Sequence, residues 1–407
     1  MRLASSHMGT CMRTSILPAA LLALFGSVAA RAAEPIKLGC VAALSGAGAD
    51  IGARLREGAE LAVAARPEIA GRPVQLLVRD SKSDPSVAQQ QASSLQSEGV
   101  SGLLCSSLSS EGAALSAAAR AGRMPIPNVL GSAVADEITG KSCNQWTFRV
   151  VPTATTIARA VARFTADQPK ASTGGFYILG SDYLYGRSSG RAFSEIPGIK
   201  VVGESYAPLD TADWTPYLNK VSQSGATGLW LPVALGSPYV QLMVAANGMK
   251  LLQQVTVIAP TGLPQEIIDQ LGEAAVGAVE PASAVMMTEP GSIPVADAYR
   301  AKYGRAPSEG VLQSYVAASI MLQAVAAAKD TTPAGVRDAL QAGAFDTIVG
   351  PVRFRKGDQQ AIAPVWSGRI ERLATPVAGS AFAFRAVQKH EAADVMPAFE
   401  QTGCVPR

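Results

Sequence analysis

The sequence predicts an α/β protein of two lobes, each built on a parallel sheet, and three observations predict it. Short apolar runs alternate with alanine-rich, helix-compatible segments from residue 36 onward, which is the pattern of βαβ units. The alternation starts again after residue 150. The chain has 407 residues, 48% of them hydrophobic and 16% charged, enough to build two ordinary domains with packed cores.

In order along the first half, IKLGCVAAL (36–44), VQLLVRD (74–80) and SGLLC (101–105) read as strands, with helices over 51–65 and 85–98 between them. In the second half GGFYILG (174–180), IKVVGESY (199–206), TGLWLPV (227–233) and QVTVIAP (254–260) repeat the scheme. Residues 292–342 are mostly helical, with apolar spacing through Val311, Tyr315, Ala318, Leu322 and Val325, and Asp346 to Arg355 reads as strand and turn. Ahead of all this, Arg2 and Arg13 precede an apolar run from Ile16 to Val28 that leads into Ala30-Arg31-Ala32. That is the layout of a secretory signal peptide over residues 1–32. The run is shorter than the roughly 20 residues of a membrane-spanning helix, and no later segment is expected to cross a membrane.

Loss of residues 1–32 removes Arg2, Arg13 and Arg31 and no acid, so 35 basic groups become 32, against 32 acidic ones. With no basic stripe, nucleic acid is not an expected partner. Beyond the leader stand one histidine, His390, and the cysteines Cys40, Cys105, Cys143 and Cys404, with no CxxC and no metal-ligand spacing. No metal or cofactor is expected. Cys143 and Cys404, in polar, loop-like surroundings, are expected to pair in an oxidising compartment. Cys40 and Cys105, in apolar runs, are expected to be buried free thiols.

The stretch GLLCSSLSSEGAAL, residues 102–115, sets Ser106, Ser107, Ser109 and Ser110 between an apolar run and an alanine-rich segment. A serine nucleophile would need a base within reach. The single histidine lies far downstream and GxSxG is absent, so no catalytic residue is assigned. Neither GxxxxGK[ST] nor GxGxxG is matched; Ser45-Gly46-Ala47-Gly48 has the wrong spacing for either. Two readings remain: Ser109 or Ser110 as N-cap with Glu111 in the first helical turn, and the same cap combined with reversible contact to a carboxylate or other anion. Tyr183 and Tyr185 in GSDYLYGRS read equally as core cover or as an aromatic pocket wall.

These residues, taken in order, resemble the type I periplasmic binding proteins of the leucine/isoleucine/valine-binding family, which feed ABC transporters. The match runs from Ile36 to about Arg372 through IKLGCVAALSG, GARLREGAELAV, RDSKSDPSVAQQQASSL, GLLCSS, ADEITGKSCNQWTFRVVP, SDYLYGRS, DTADWTPYLNKV and IVGPVRFRKGDQQ. The resemblance implies two Rossmann-like lobes joined by a hinge and closing on a ligand. Lobe 1 would hold residues 33–150 and about 281–342, lobe 2 residues 151–280 and about 343–372, and 373–407 would be a C-terminal tail. Carried across by position, the serine that meets a ligand carboxylate falls on Ser107 or Ser109, and the backbone that completes the contact on Ser132, Ala133 and Val134. The cleft tyrosine falls on Tyr185. Ile51, Val134 and Val233 fall near the cleft and suggest an apolar ligand body. The acid that pairs an α-ammonium falls on Thr261, so the acid is absent. A buried ammonium without a carboxylate costs several kcal/mol, so unless Asp182 or another acid substitutes, an ordinary α-amino acid is a poor ligand. In some relatives the cysteine at position 105 is bridged to a position that is Ser83 here, and that bridge cannot form.

The reading is an exported, periplasmic, non-enzymatic solute-binding protein, a monomer. It would hold a small carboxylate-bearing organic molecule and deliver it to a membrane ABC permease. A ligand-sensing module for a receptor is the alternative, and a serine hydrolase ranks third.

Overall fold

The computed structural model describes residues 9–10, 33–166, 173–234, 236–263, 265–277, 279–283 and 287–406. The expected signal peptide, residues 1–32, lies outside the described residues apart from 9 and 10.

Strand β1 (Ile36–Ala42) shows why the first sheet is covered on both faces. Ile36, Leu38, Cys40 and Ala42 enter one apolar cluster, and Val41 enters another with Leu95, Leu103 and Leu115. Side chains alternate across a strand, so a run that is apolar at nearly every position needs a core on each side. Helix α1 (Ala49–Ala65) follows, then β2 (Glu68–Ile69), β3 (Arg72–Asp80), α2 (Pro85–Ser97), β4 (Leu103–Leu104), α3 (Ser109–Arg120), β5 (Asn128–Leu130) and β6 (Thr147–Arg149). The sheet order is β2-β3-β1-β4-β5-β6, parallel except for the short β2–β3 pair.

After α4 (Ala154–Ala166) come β7 (Phe176–Ser181), α5 (Leu184–Ser194), β8 (Val201–Ala207), α6 (Thr215–Gln223), β9 (Gly228–Trp230), α7 (Ser237–Gly248), β10 (Thr256–Ile258), α8 (Gln265–Leu271) and β11 (Val279–Ser283). Here too the strands alternate: Phe176, Ile178, Trp230 and Ile258 face one cluster, and Tyr177, Leu179, Leu229, Leu231 and Val257 the other. The chain continues through α9 (Ile293–Tyr303), α10 (Glu309–Ala327) and α11 (Pro333–Ala342) to a small antiparallel sheet of β12 (Phe345–Thr347), β13 (Gly350–Phe354) and β14 (Ala361–Ile362). It then rejoins the second sheet in β15 (Val365–Val377) and β16 (Ser380–His390), giving the order β16-β15-β11-β10-β9-β7-β8.

The segment beyond residue 372 is therefore built into the fold. Residue 372 falls inside β15, and β16 closes an antiparallel hairpin on it through pairs such as Ile370 with Phe384. Helix α10 is long and apolar enough to cross a membrane by length and composition. It is a core helix: Val311, Leu312, Ala317, Ile320, Met321 and Leu322 are buried, and it lies so close to α1 that a Cβ on Gly58 would collide with the Val311 carbonyl oxygen.

Among the described residues two disulfides are present. Cys143 and Cys404 are bridged with Cα atoms 5.5 Å apart, and Arg120 Nη1 donates to the carbonyls of Cys143 and Val405 beside them. Cys40 and Cys105 are also bridged, Cα to Cα 5.1 Å, which corrects the expectation of free thiols. The cause is the strand order: β4 lies directly against β1, with Cys40 opposite Leu104. Ser83 instead takes the Gly48 N–H on its hydroxyl and donates to the Ser45 carbonyl.

Candidate ligand-binding site

The C-terminal ends of β1, β4, β5, β7, β9 and β10 lead into loops that converge on one cavity. Its lining takes Ile51 and Arg54 from α1, Ser107 and Ser109 from the β4–α3 junction, Ser132 and Val134 after β5, and Tyr183 and Tyr185 at the start of α5. Ala234, Pro260 and Thr261 follow β9 and β10, and Glu309, Gly310 and Gln313 open α10. Carboxyl ends of parallel strands are where open α/β sheets collect ligand groups.

The serine junction is built by internal hydrogen bonds. Cys105 has φ +71°, a left-handed backbone that turns the chain sharply out of β4. Ser107 is fully engaged: its hydroxyl accepts from Ala43 N at 2.9 Å and donates to the Cys105 carbonyl at 3.2 Å. Its N–H donates to Glu111, and its carbonyl takes the Ser132 hydroxyl at 3.1 Å. Ser109 differs. Its hydroxyl oxygen accepts from Ala135 N at 3.3 Å, which leaves its own proton to donate, and it heads α3, where N–H groups have no intrahelical acceptor.

The expected serine N-cap is not what the structure has. The N-cap of α3 is Leu108, and the capping carboxylate is Glu111, which reaches back to accept from Ser107 N and Leu108 N at 3.1 Å each and from the Ser81 hydroxyl at 2.6 Å. Burial pushes the Glu111 carboxyl up, against those three hydrogen bonds.

Tyr183 and Tyr185 pack edge to face, ring centres 5.8 Å apart, and burial raises both phenols. Tyr185 shares a hydrogen bond of 3.2 Å with Thr261. Val233 and the Ala133 side chain are not in the lining, although Ser132 and Val134 on either side of Ala133 are. Val233 is buried in the core of the second lobe. Ala133 faces the core beside Gly112, its carbonyl held by Arg149. Asp182 pairs with Arg187 at 2.9 Å, both half exposed, and is not among the lining residues.

Sequence reading missed Arg54, Pro152, Ile157, Glu309 and Gln313 at the cavity, and it missed Arg149 behind it. The wholly buried Arg149 guanidinium donates to the Ala133 and Ala135 carbonyls, to Gln360 Oε1 at 2.7 Å and to the Thr139 hydroxyl. Burial lowers its pKa to about 10, opposed by Asp136, Asp358 and Glu137. It thereby fixes the loop that carries Ser132 and Val134. For Arg54 one signal was available: it stands one helical turn after Ile51, on the same face.

Polar contacts join the two lobes around the cavity. Asp50 accepts from the Ser237 N–H and hydroxyl at 2.9 and 3.0 Å, Arg54 pairs with Glu266 at 3.3 Å, and Arg191 pairs with Glu137 at 2.8 Å. Burial pushes Glu137 up, but the hydrogen bond and charge of Arg191 hold its carboxyl below the usual range. Among the described residues no cluster of His, Cys, Asp and Glu could hold a metal ion.

No curated protein matches the chain. Solved structures do. An amino acid ABC transporter substrate-binding protein from Pseudomonas fluorescens Pf-5 is 23% identical, covers 92% of this chain and 100% of its own, and superposes with a TM-score of 0.78. A solute-binding protein of an ABC transporter from Rhodopseudomonas palustris HaA2, solved with p-hydroxybenzoic acid, is 21% identical over 88% of this chain and 97% of its own, TM-score 0.75. A leucine-, isoleucine-, valine-, threonine- and alanine-binding protein from Brucella ovis, in a closed conformation, is 19% identical over 92% and 100%, TM-score 0.77. These share the fold. The sequence model described as "Periplasmic binding protein" matches residues 35–375, and with two parallel-sheet lobes meeting over a polar-and-aromatic cavity, the chain belongs to the periplasmic binding protein family.

Proposed function

We propose that this protein is the extracytoplasmic substrate-binding component of a branched-chain-amino-acid-type ABC transporter. It is exported to the periplasm by a cleaved leader, acts as a monomer without cofactor or catalysis, and delivers a small carboxylate-bearing molecule to a membrane permease. The observation that carries this reading is Ser109, a buried hydroxyl with a proton to donate, at the head of α3 in a cavity between the lobes. The hydroxyl and the adjoining N–H groups suit a carboxylate. Ser107, Ser132 and Arg149 position that corner. Ile51, Val134, Ile157, Tyr183 and Tyr185 surround the apolar body.

Thr261 is bonded to Tyr185 and offers an ammonium no charge, and the acid that does line the cavity, Glu309, is engaged by Gln313 at 2.6 Å, which favours a ligand without an α-amino group. The relative solved with p-hydroxybenzoic acid supports a carboxylate of this kind. The bonds that join the lobes are exposed on at least one side, and each such pair contributes about 0 to 1 kcal/mol. Closure is therefore reversible, and a ligand that touches both lobes biases it. Mass spectrometry of small molecules released on denaturing protein purified from its native periplasm tests the proposal. An organic carboxylate without an α-amino group is expected; recovery of leucine, isoleucine or valine would overturn the ligand class and point to Glu309 as the ammonium's partner.

A further inference from the structure

We propose that Arg54 and Glu309 form a second polar subsite in this cavity, and that it receives a hydroxyl carried on the ligand's apolar body. The inference rests on the carboxylate reading above and adds a requirement to it. Arg54 and Ile51 line the cavity from one face of α1. Arg54 Nη2 is 3.3 Å from Glu266 Oε2, while Nη1 is shut off from solvent and has no hydrogen-bond partner within the chain. A buried guanidinium N–H without an acceptor is costly, and a ligand oxygen in the cavity would satisfy it.

Glu309, at the start of α10, lines the same cavity. It is already bonded, by Gln313 at 2.6 Å among others, but a carboxylate offers about four acceptor positions. Its Oε2 lies against the turn after β10, where a Cβ on Gly262 would come within 2.8 Å of it. The same turn leads into α8, which carries the Glu266 that holds Arg54.

Charge selects among oxygen-bearing groups. Arg305 bridges Glu57 and Glu266 and Arg54 pairs with Glu266, so this connected set balances two cations, Arg54 and Arg305, against two acids, Glu57 and Glu266. A second carboxylate on the ligand would add a third negative charge to that balanced set, facing Glu309 on the cavity wall. A neutral hydroxyl answers both sides, accepting from Arg54 Nη1 and donating to Glu309.

Isothermal titration calorimetry on the intact protein tests this with benzoate against 2-, 3- and 4-hydroxybenzoate, 3-phenylpropionate against its 4-hydroxyphenyl counterpart, and terephthalate as a dianion. At least one hydroxylated acid is expected to bind ten-fold or more tighter than its parent and tighter than terephthalate. Arg54→Met should bring that pair to within about two-fold of each other. Glu266→Gln, which loosens the contact between lobes, should weaken both members by the same factor. Equal binding of every pair by the wild type, a preference that survives Arg54→Met, or tightest binding of the dianion would overturn the subsite and leave the carboxylate reading standing. Failure of every acid to bind would overturn both.

Discussion

Ser107 and Ser109 stand two residues apart and carry different loads. Every hydrogen-bonding group of Ser107 is spent inside the protein, whereas the Ser109 hydroxyl keeps its proton. Ser107→Ala strands the Ala43 N–H and should lower folding stability by about 1–3 kcal/mol, read by urea unfolding. Ser109→Ala gives up only the longer bond from Ala135 N at 3.3 Å, so it should lower the urea midpoint less than Ser107→Ala does, and it should weaken a bound carboxylate by about 1–3 kcal/mol, read by calorimetry with the acid that gives the largest thermal shift. If the two phenotypes were exchanged, the assignment of roles would be wrong. Arg149→Met should cost about 3 kcal/mol of stability, since it removes a donor from the Ala133 and Ala135 carbonyls and from Gln360 Oε1; an unchanged urea midpoint would show that the guanidinium does not hold this loop. Part of the residue-level picture was legible in sequence: Ser107, Ser109, Ser132, Val134, Ile51, Tyr183, Tyr185 and Thr261 all line the cavity. Arg149 and Glu309 were not, because what matters for each is a partner remote in sequence, Gln360 for one and the Gly262 turn for the other.

At the scale of elements, alternation of apolar runs with alanine-rich segments located β1, β3, β4, β7, β8, β9 and β10, because a strand buried on two faces is apolar at nearly every position, but not β2, β5, β6, β11, β15 or β16. The order of strands was hidden. Without knowing that β1 neighbours β4, Cys40 and Cys105 read as separate thiols, and without β16 pairing on β15 the last residues read as a tail. The N-cap of α3 was misread because Glu111 caps from inside the helix, where a serine just ahead of it would have been the ordinary choice. The disulfide from Cys143 to Cys404 fastens the end of the chain, after the β15–β16 hairpin, to the first lobe. Cys404→Ser should lower stability by about 2–5 kcal/mol, and non-reducing peptide mapping of wild-type protein should recover both bridges; free Cys40 and Cys105 in oxidised protein would refute the second.

For the whole molecule, pH and ligand are the two levers. His390 is buried and shares a hydrogen bond of 2.9 Å with Ser367. Burial and then the charge of Arg163 lower its pKa below 6.5, with Asp394 opposing. The native state thus resists a proton that the unfolded chain accepts, so this group's contribution is complete above pH 6.5 and is lost as pH falls from there through the lowered native value. The wild-type melting temperature should fall more steeply below pH 6.5 than that of His390→Gln; parallel curves would show that His390 is not protected. The central claim, that the lobes close on a carboxylate lacking an α-ammonium, is tested most directly by thermal shift with matched pairs: leucine against 4-methyl-2-oxopentanoate, and phenylalanine against 3-phenylpropionate. Binding to the native state raises stability by RT ln(1 + [L]/Kd). The acid without the amino group should give the larger shift in each pair, and larger shifts from leucine and phenylalanine would contradict the account.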